Sequence, residues 1–330
     1  MVEMMKNIKK YLKLYHEKCD ESFKKWGYYY PPRNWEEFEK WNQDTFEKYL
    51  QDSSDEISKT KAYISLLNNT KEFGFYQAFS NQNFELLNNV LYQTTRREIL
   101  LSSITASGTD HCNVFFDALS AFACNDFEVI ENLFPKELPY SKGQFYTENA
   151  INLLKTIYFK EEHLKEIALQ RAEKFMQKKV TAWEKFVVLY FVSLVEKDAQ
   201  NASDCLQQLC VAYQKLGYPR EKIDKCFAQE IHGLYRLVRE LDANLFDKIK
   251  MPTHDCFFQE FEIWQRENQF PKGKLFYIYP PKLDYMNRIF NAKIPKVELF
   301  EKVYSENRKY IFKNVDKFAE DLTANIKENL

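Results

Sequence analysis

The prolines of this chain lie between segments of helical periodicity, and this arrangement constrains the fold more than any other feature. Pro135, Pro219 and Pro252 each separate two periodic segments, and no proline interrupts a long one. The periodicity predicts helices over 2–20, 34–51, 54–68, 82–105, 112–124, 127–134, 147–159, 161–178, 181–197, 202–216, 219–242, 254–267, 283–290 and 296–327.

Two stretches have the pattern of antiparallel helix hairpins, because small and large residues flank a short polar turn. One turns at 125–126 and the other at 198–201. The aromatic and β-branched segment 275–279, stopped by two prolines, predicts a short strand pair or extended segment. We therefore expect an all-α fold: a single large domain over 1–330 built of helix hairpins with solenoid-like packing. Residues 1–80 are a candidate N-terminal helical subdomain.

Glycine, histidine and cysteine are placed in ways that exclude the common cofactor and metal motifs. The seven glycines are too far apart for a nucleotide-binding loop or a nucleophile elbow. The five histidines are never closer than 22 positions, and the seven cysteines form no CxxC pair. The triplets 110–112 and 254–256 contain both His and Cys but lack the ligand spacing of a metal site. We predict no catalytic residue, no cofactor and no metal.

The charge balance argues against a nucleic-acid or membrane-binding protein. There are 47 Lys and Arg against 48 Asp and Glu, so the formal net charge is −1 and direct binding to nucleic acid is not expected. The uncharged stretches 99–109 and 186–195 are shorter than the roughly 18 to 20 apolar residues of a membrane span. The lysine-rich N-terminus has no apolar signal segment. These features predict a cytoplasmic protein without a membrane anchor.

The apolar run 186–192 has no polar side at helical spacing, and it therefore predicts a central helix that neighbours cover completely. A hydrophobic ligand channel is the alternative, but the run lacks the convergent polar groups of such a site.

The strongest local charge imbalance lies between Arg97 and Lys136, where six acidic residues occur without any lysine or arginine. An acidic surface for a basic protein partner is one interpretation, and a solvated acidic face is the other. The candidate partner-binding residues are Asp117, Glu128, Glu131, Asp126 and Asp110. Asp110 and Asp126 have a second interpretation as helix N-caps.

The segment 225–239 places a histidine and a glycine next to each other in a predicted amphipathic helix. Ile231, Leu234 and Leu237 belong to its apolar stripe, whereas His232 falls on the opposite side. We interpret His232 as a surface or second-layer side chain that is hydrogen-bonded to a neighbouring helix. Gly233 would let another helix approach closely. The secondary candidates for partner binding form the basic side of this helix: His232, Arg236, Arg239 and Lys225.

The Cys-Phe-Ala-x-x-x-His-Gly-Leu-Tyr core of this segment resembles immunity protein family 49, the immunity proteins of bacterial polymorphic toxin systems. The resemblance covers roughly 110–290 and includes the stretches 115–135, 183–195 and 277–287. It implies an all-helical cytosolic protein that neutralises a cognate toxin by binding it, without catalysis.

Three functional hypotheses follow from the sequence. The first is an immunity protein whose partner is a protein toxin, for example a basic nuclease-type toxin. The second is a helical scaffold or adaptor with other protein clients. The third, from the enzyme class, is a helical hydrolase that uses scattered histidine and acidic residues.

Overall fold

The computed structural model describes residues 5–47, 55–66, 70–105, 111–218, 220–305 and 308–328. Within these residues the fold is predominantly α-helical, as predicted, and no helix is long and apolar enough to cross a membrane. The helices are α1 (Lys6–Trp26), α2 (Trp35–Glu47), α3 (Glu56–Leu66), α4 (Lys71–Ser80), α5 (Phe84–Thr105), α6 (Phe115–Phe122), α7 (Glu128–Leu133), α8 (Tyr146–Tyr158), α9 (Glu162–Met176), α10 (Ala182–Glu196), α11 (Ala199–Tyr213), α12 (Gln229–Leu241), α13 (Ala243–Phe246), α14 (Gln259–Glu267), α15 (Asp284–Asn291) and α16 (Val315–Glu328).

The contacts divide the chain into two compact units. Unit 1 contains residues 1–109 and 272–330, and unit 2 contains the intervening residues 110–271. This division does not coincide with the candidate subdomain at 1–80. The single-domain assignment stays a prediction.

Unit 2 contains both predicted helix hairpins, as α6–α7 and α10–α11. The apolar run 186–192 lies in α10, which packs against α8, α9 and α11. Val187, Val188, Tyr190 and Phe191 are fully buried there. The Tyr190 hydroxyl donates a hydrogen bond of 2.8 Å to the Leu234 carbonyl. Phe186, Leu189 and Val192 are only half-buried, so α10 belongs to the core of unit 2, but the prediction that its neighbours cover it completely is wrong.

Unit 1 contains the two described β-strands, but they are not where the sequence predicts them. β1 (Leu299–Ser305) and β2 (Arg308–Lys313) form an antiparallel pair within the range 296–327 that was predicted as one helix. Aromatic and β-branched residues such as Phe300, Val303, Ile311 and Phe312 are frequent in this stretch, and such residues favour a strand. Phe300 faces Phe312 across the pair, with ring centroids 5.8 Å apart. Among the described residues of the predicted helix 296–327, only the part that belongs to α16 is helical.

The strand pair predicted near 275–279 is wrong, because side-chain amides take the place of a partner strand. The Gln93 amide accepts a hydrogen bond from the Tyr277 N–H (2.8 Å) and donates one to the Tyr277 carbonyl (3.2 Å). The Asn287 amide likewise accepts a hydrogen bond from the Tyr279 N–H (2.8 Å) and donates one to the Tyr279 carbonyl (2.9 Å). The segment is irregular and bends at Phe276 and Tyr277, and side chains of α5 and α15 satisfy the peptide groups of Tyr277 and Tyr279.

Candidate functional site

The segment that carries the family resemblance lies at the centre of unit 2, but it is not one continuous helix. Where the sequence predicts a helix over 219–242, the structure has a single 3-10 turn, Asp224–Cys226, and then α12 from Gln229. Every residue from 226 to 238 is buried. Helix α12 packs against α6, α11 and α13.

Gly233 is the point of closest approach between α12 and α6. A Cβ atom at this position would lie 1.7 Å from the Leu119 carbonyl oxygen and 3.3 Å from the Ala123 nitrogen. Only glycine leaves room for the backbone of α6 at this distance. The predicted role of Gly233 in a close helix approach is confirmed.

Three buried polar side chains, His232, Arg236 and Glu262, meet on the other side of α12, and we call them the buried triad. Glu262 of α14 accepts a hydrogen bond from His232 Nδ1 at 2.5 Å and another from Arg236 Nε at 2.8 Å. A second guanidinium nitrogen of Arg236 donates to the Ala123 carbonyl at the end of α6, at 2.8 Å. The side chains of His232 and Arg236 are 0% exposed and that of Glu262 is 2% exposed.

The hydrogen bonds determine which nitrogen of His232 carries the proton. The Phe258 backbone N–H donates to Nε2 at 3.1 Å, so Nε2 has no proton and the neutral ring carries it on Nδ1. Burial disfavours the imidazolium and outweighs the opposing influence of Glu262, so the pKa of His232 lies below its ordinary value. The buried triad therefore contains one cation, one anion and one neutral ring.

The carboxyl of Glu262 stays ionised in this setting. Burial alone would raise its pKa, but the charge of Arg236 and the hydrogen bonds from His232 and Arg236 outweigh burial, and the pKa of Glu262 is lowered. The charges of Arg236 and Glu262 thus compensate each other inside the core, which is the condition under which buried ions are tolerated.

Aromatic rings enclose the buried triad. The His232 ring stacks on Phe257, with centroids 4.1 Å apart and an interplanar angle of 8°, and Phe227 lies 4.8 Å away. The Arg236 guanidinium lies over the Phe261 ring at 4.8 Å. These rings fix the orientation of both side chains by packing.

A carboxylate that orients the Nδ1–H of an imidazole is also the arrangement of a general base. In this protein the base nitrogen Nε2 is occupied by a backbone amide, and none of the three side chains reaches solvent. The arrangement holds the start of α14 and the end of α6 against α12. We conclude that the buried triad positions helices.

Of the two interpretations of His232, the second-layer one is confirmed and the surface one is wrong; Arg236 is buried as well, so the prediction that these two side chains contact a partner is wrong. The apolar stripe was identified correctly, but a second layer formed by α6 and α14 covers the opposite side. The expected hydrogen bond from His232 to a neighbouring helix does exist. Arg239 is half-buried over the Phe270 ring at 4.1 Å, and Lys225 is half-buried in the 3-10 turn, outside α12.

A second buried ion pair lies at the start of α12, where Glu230 contacts Arg220. The Glu230 side chain is 0% exposed, and its neighbour Gln229 donates to the Ser120 hydroxyl of α6 at 2.9 Å. Burial disfavours the charge of Arg220, but Glu230, Tyr213, Asp224 and Asp117 together outweigh burial, so the pKa of Arg220 is raised. The guanidinium also lies 4.5 Å from the centroid of the Phe116 ring.

The acidic candidates have different positions in the structure. Glu128 and Glu131 are exposed on α7, and Glu131 accepts a hydrogen bond from the Tyr158 hydroxyl at 3.2 Å. Asp117 is half-buried on α6. Asp126 is fully buried, so its prediction as a partner-contacting residue is wrong. Asp110 lies outside the described residues.

The absence of basic residues from 98 to 135 does not leave the α6–α7 hairpin without positive charge. Arg220 and Arg236, distant in sequence, both reach α6 or the carbonyl at its end. Sequence spacing missed Arg220, Glu230 and Glu262 as members of this core. Glu262 follows Phe261 directly and precedes Gln265 by three positions, and all three side chains are buried. This position on the same helix face as Gln265 is the one local feature that marks Glu262.

Comparisons of the chain with protein-family models, with curated proteins and with solved structures found no match.

Proposed function

We propose that this chain is an immunity protein that binds and neutralises a cognate bacterial toxin domain through a protein surface, without catalysis. The observation that carries the proposal is the α6–α7 hairpin, which presents exposed Glu128 and Glu131 on a rigid support. Gly233 and Arg236 fix the hairpin against α12. A preorganised acidic edge suits recognition of a basic partner, because less ordering is needed on binding.

The family resemblance supports the same proposal. Its most specific residues, from Cys226 to Tyr235, are all buried, so they describe how unit 2 is built. Residues that maintain a core of this kind determine a scaffold, and a partner would then be selected by the exposed side chains around it.

The acidic edge also favours one class of toxin. A toxin that acts on nucleic acid needs a cationic surface for phosphate groups, and exposed carboxylates can occupy that surface. Glu128 and Glu131 lie three positions apart on α7, so they share one face of the helix. We therefore propose a basic, nucleic-acid-directed toxin as the partner.

Co-expression with the candidate toxin encoded beside this chain tests the proposal. We expect rescue of growth and co-purification of a complex. Binding without rescue would favour the scaffold or adaptor function, and turnover of a substrate by the purified chain would favour the hydrolase.

Charge reversal tests the acidic edge separately. Glu128→Lys with Glu131→Lys should slow association several-fold and weaken its dependence on salt. The control, Glu173→Lys with Glu196→Lys, reverses two exposed glutamates on α9 and α10 and should leave both quantities nearly unchanged. Equal effects of the two double variants would show that only net charge matters and would contradict a role for α7.

A further inference from the structure

Unit 1 contains a small pocket with aromatic walls, separate from the proposed partner surface. The pocket encloses about 190 Å³ and is lined by Tyr30, Phe38, Trp41, Phe73 and Glu72, among others. Its volume lies below the range of about 300 to 1,000 Å³ that is typical of sites for drug-sized ligands. The pocket therefore suits a compact chemical group.

The aromatic side chains form two stacked pairs. Tyr30 and Trp41 are stacked with centroids 5.2 Å apart, and Phe38 and Phe73 are stacked at 4.6 Å. Stacking covers one face of each ring, and the remaining faces carry the partial negative charge that attracts a cation of low hydration.

Glu72 adds a carboxylate to this lining, and Lys18 forms an ion pair with one of its two oxygens. Its Oε1 atom accepts a hydrogen bond from Lys18 at 2.6 Å. Its Oε2 atom is buried and has no hydrogen-bond partner. A buried carboxylate oxygen without a partner is unfavourable, and a cation nearby would compensate it.

We propose that this pocket binds an organic ammonium group, with the aromatic rings around its alkyl substituents and Glu72 as the counter-ion. A metal ion would need further oxygen, nitrogen or sulfur ligands, whereas six of the eight lining residues are aromatic residues or prolines. A neutral apolar group would leave Glu72 Oε2 uncompensated. The ammonium group can come from a free small cation or from a methylated lysine of a protein.

Titration of the full chain with choline and with its neutral isostere 3,3-dimethylbutanol tests the proposal directly. The two molecules differ in the charge at the central atom but hardly in shape. We expect saturable binding of choline, at least tenfold tighter than that of the alcohol. Equal affinities, or no saturable binding of choline and of a trimethyllysine peptide, would overturn the proposal. A peptide that binds more tightly than choline would identify a protein as the source of the cation.

Variants locate the binding. Glu72→Gln keeps the size of the side chain and should weaken choline binding at least fivefold, while Trp41→Leu removes one ring and should weaken it as well. Glu36→Gln, an exposed glutamate on α2, is the matched control and should have no effect. If Glu72→Gln does not fold, the ratio of choline to alcohol affinity in the unmodified chain decides the question. Unchanged choline affinity in a folded Glu72→Gln variant would contradict the proposal.

Discussion

Gly233 and Leu119 are in backbone contact: a Cβ on Gly233 would lie 1.7 Å from the Leu119 carbonyl oxygen. This distance is far shorter than a van der Waals contact, and the obstacle is backbone, which cannot rotate away. The separation of α12 from α6 is therefore set by the absence of a side chain at one position.

Gly233→Ala should be strongly destabilising for this reason. We expect the free energy of unfolding to fall by about 3 kcal/mol or more, at or above the upper end of overpacking effects. Gly217→Ala is the control, because no atom lies within 4 Å of a Cβ at that position. Chemical denaturation of both variants measures the difference. Similar, small losses in the two variants would contradict the close contact between α12 and α6.

Breaking the buried triad should be costly from either side. Glu262→Gln leaves the Arg236 charge without a counter-ion, and we expect a loss of about 3 to 5 kcal/mol. His232→Ala leaves the Phe258 N–H without its partner, removes one of the two donors to Glu262 Oε1 and opens a cavity, for a loss of about 3 kcal/mol. Urea denaturation measures both, with the exposed His163→Ala as the control. A loss near 1 kcal/mol for His232→Ala would indicate an exposed side chain instead.

The lowered pKa of His232 predicts loss of stability in mild acid. Below the ordinary pKa of about 6.5 the unfolded chain takes up a proton at His232 while the folded chain does not, so unfolding becomes more favourable by up to about 1.4 kcal/mol per pH unit. The stability difference between the unmodified chain and His232→Ala should therefore be largest above pH 7 and should shrink between pH 6.5 and 5.5. A difference that is constant over this range would show that the pKa of His232 is not lowered.

Gln93→Leu should destabilise unit 1 by removing the amide that binds Tyr277. The N–H and the carbonyl of Tyr277 would both lose their partner in a buried position, and we expect a loss of about 2 to 4 kcal/mol. Gln170→Leu removes an exposed amide that donates to Glu166 and serves as the control, with a change within about 0.5 kcal/mol. Equal losses of stability in the two variants would mean that water binds the Tyr277 peptide groups when the Gln93 amide is removed.

Local patterns predicted the helical class and several of the helices, because periodicity and proline position report on local structure. They also indicated that 275–279 is not helical and that Gly233 marks a close approach. The partners of these features are distant in the sequence: Gln93 is 184 residues from Tyr277, and Leu119 is 114 positions before Gly233. No local pattern contains that information.

The error about the polar side of α12 also arises because the partner residues are distant in the sequence. A helix with one apolar stripe usually turns its other side to water, and His232 and Arg236 fit that rule by position alone. Their burial depends on Glu262, which lies on another helix and supplies the counter-charge. The strand pair β1–β2 was missed for a different reason, since the period assigned to residues 299–313 was that of the helix that follows.

The division of the chain also bears on the order in which it can fold during synthesis. Unit 2 is encoded without interruption between residues 110 and 271, whereas unit 1 needs segments from both sides of it. Helix α16 supplies the buried residues Phe318, Leu322 and Ile326, and its Thr323 hydroxyl donates to that of Thr60 on α3 at 2.9 Å. A ribosome therefore releases all of unit 2 before it has made the helix that completes unit 1. Until then, the apolar surfaces of α3 and α5 that pack against α16 stay uncovered, and exposed apolar surface of this kind makes an incomplete chain prone to aggregation.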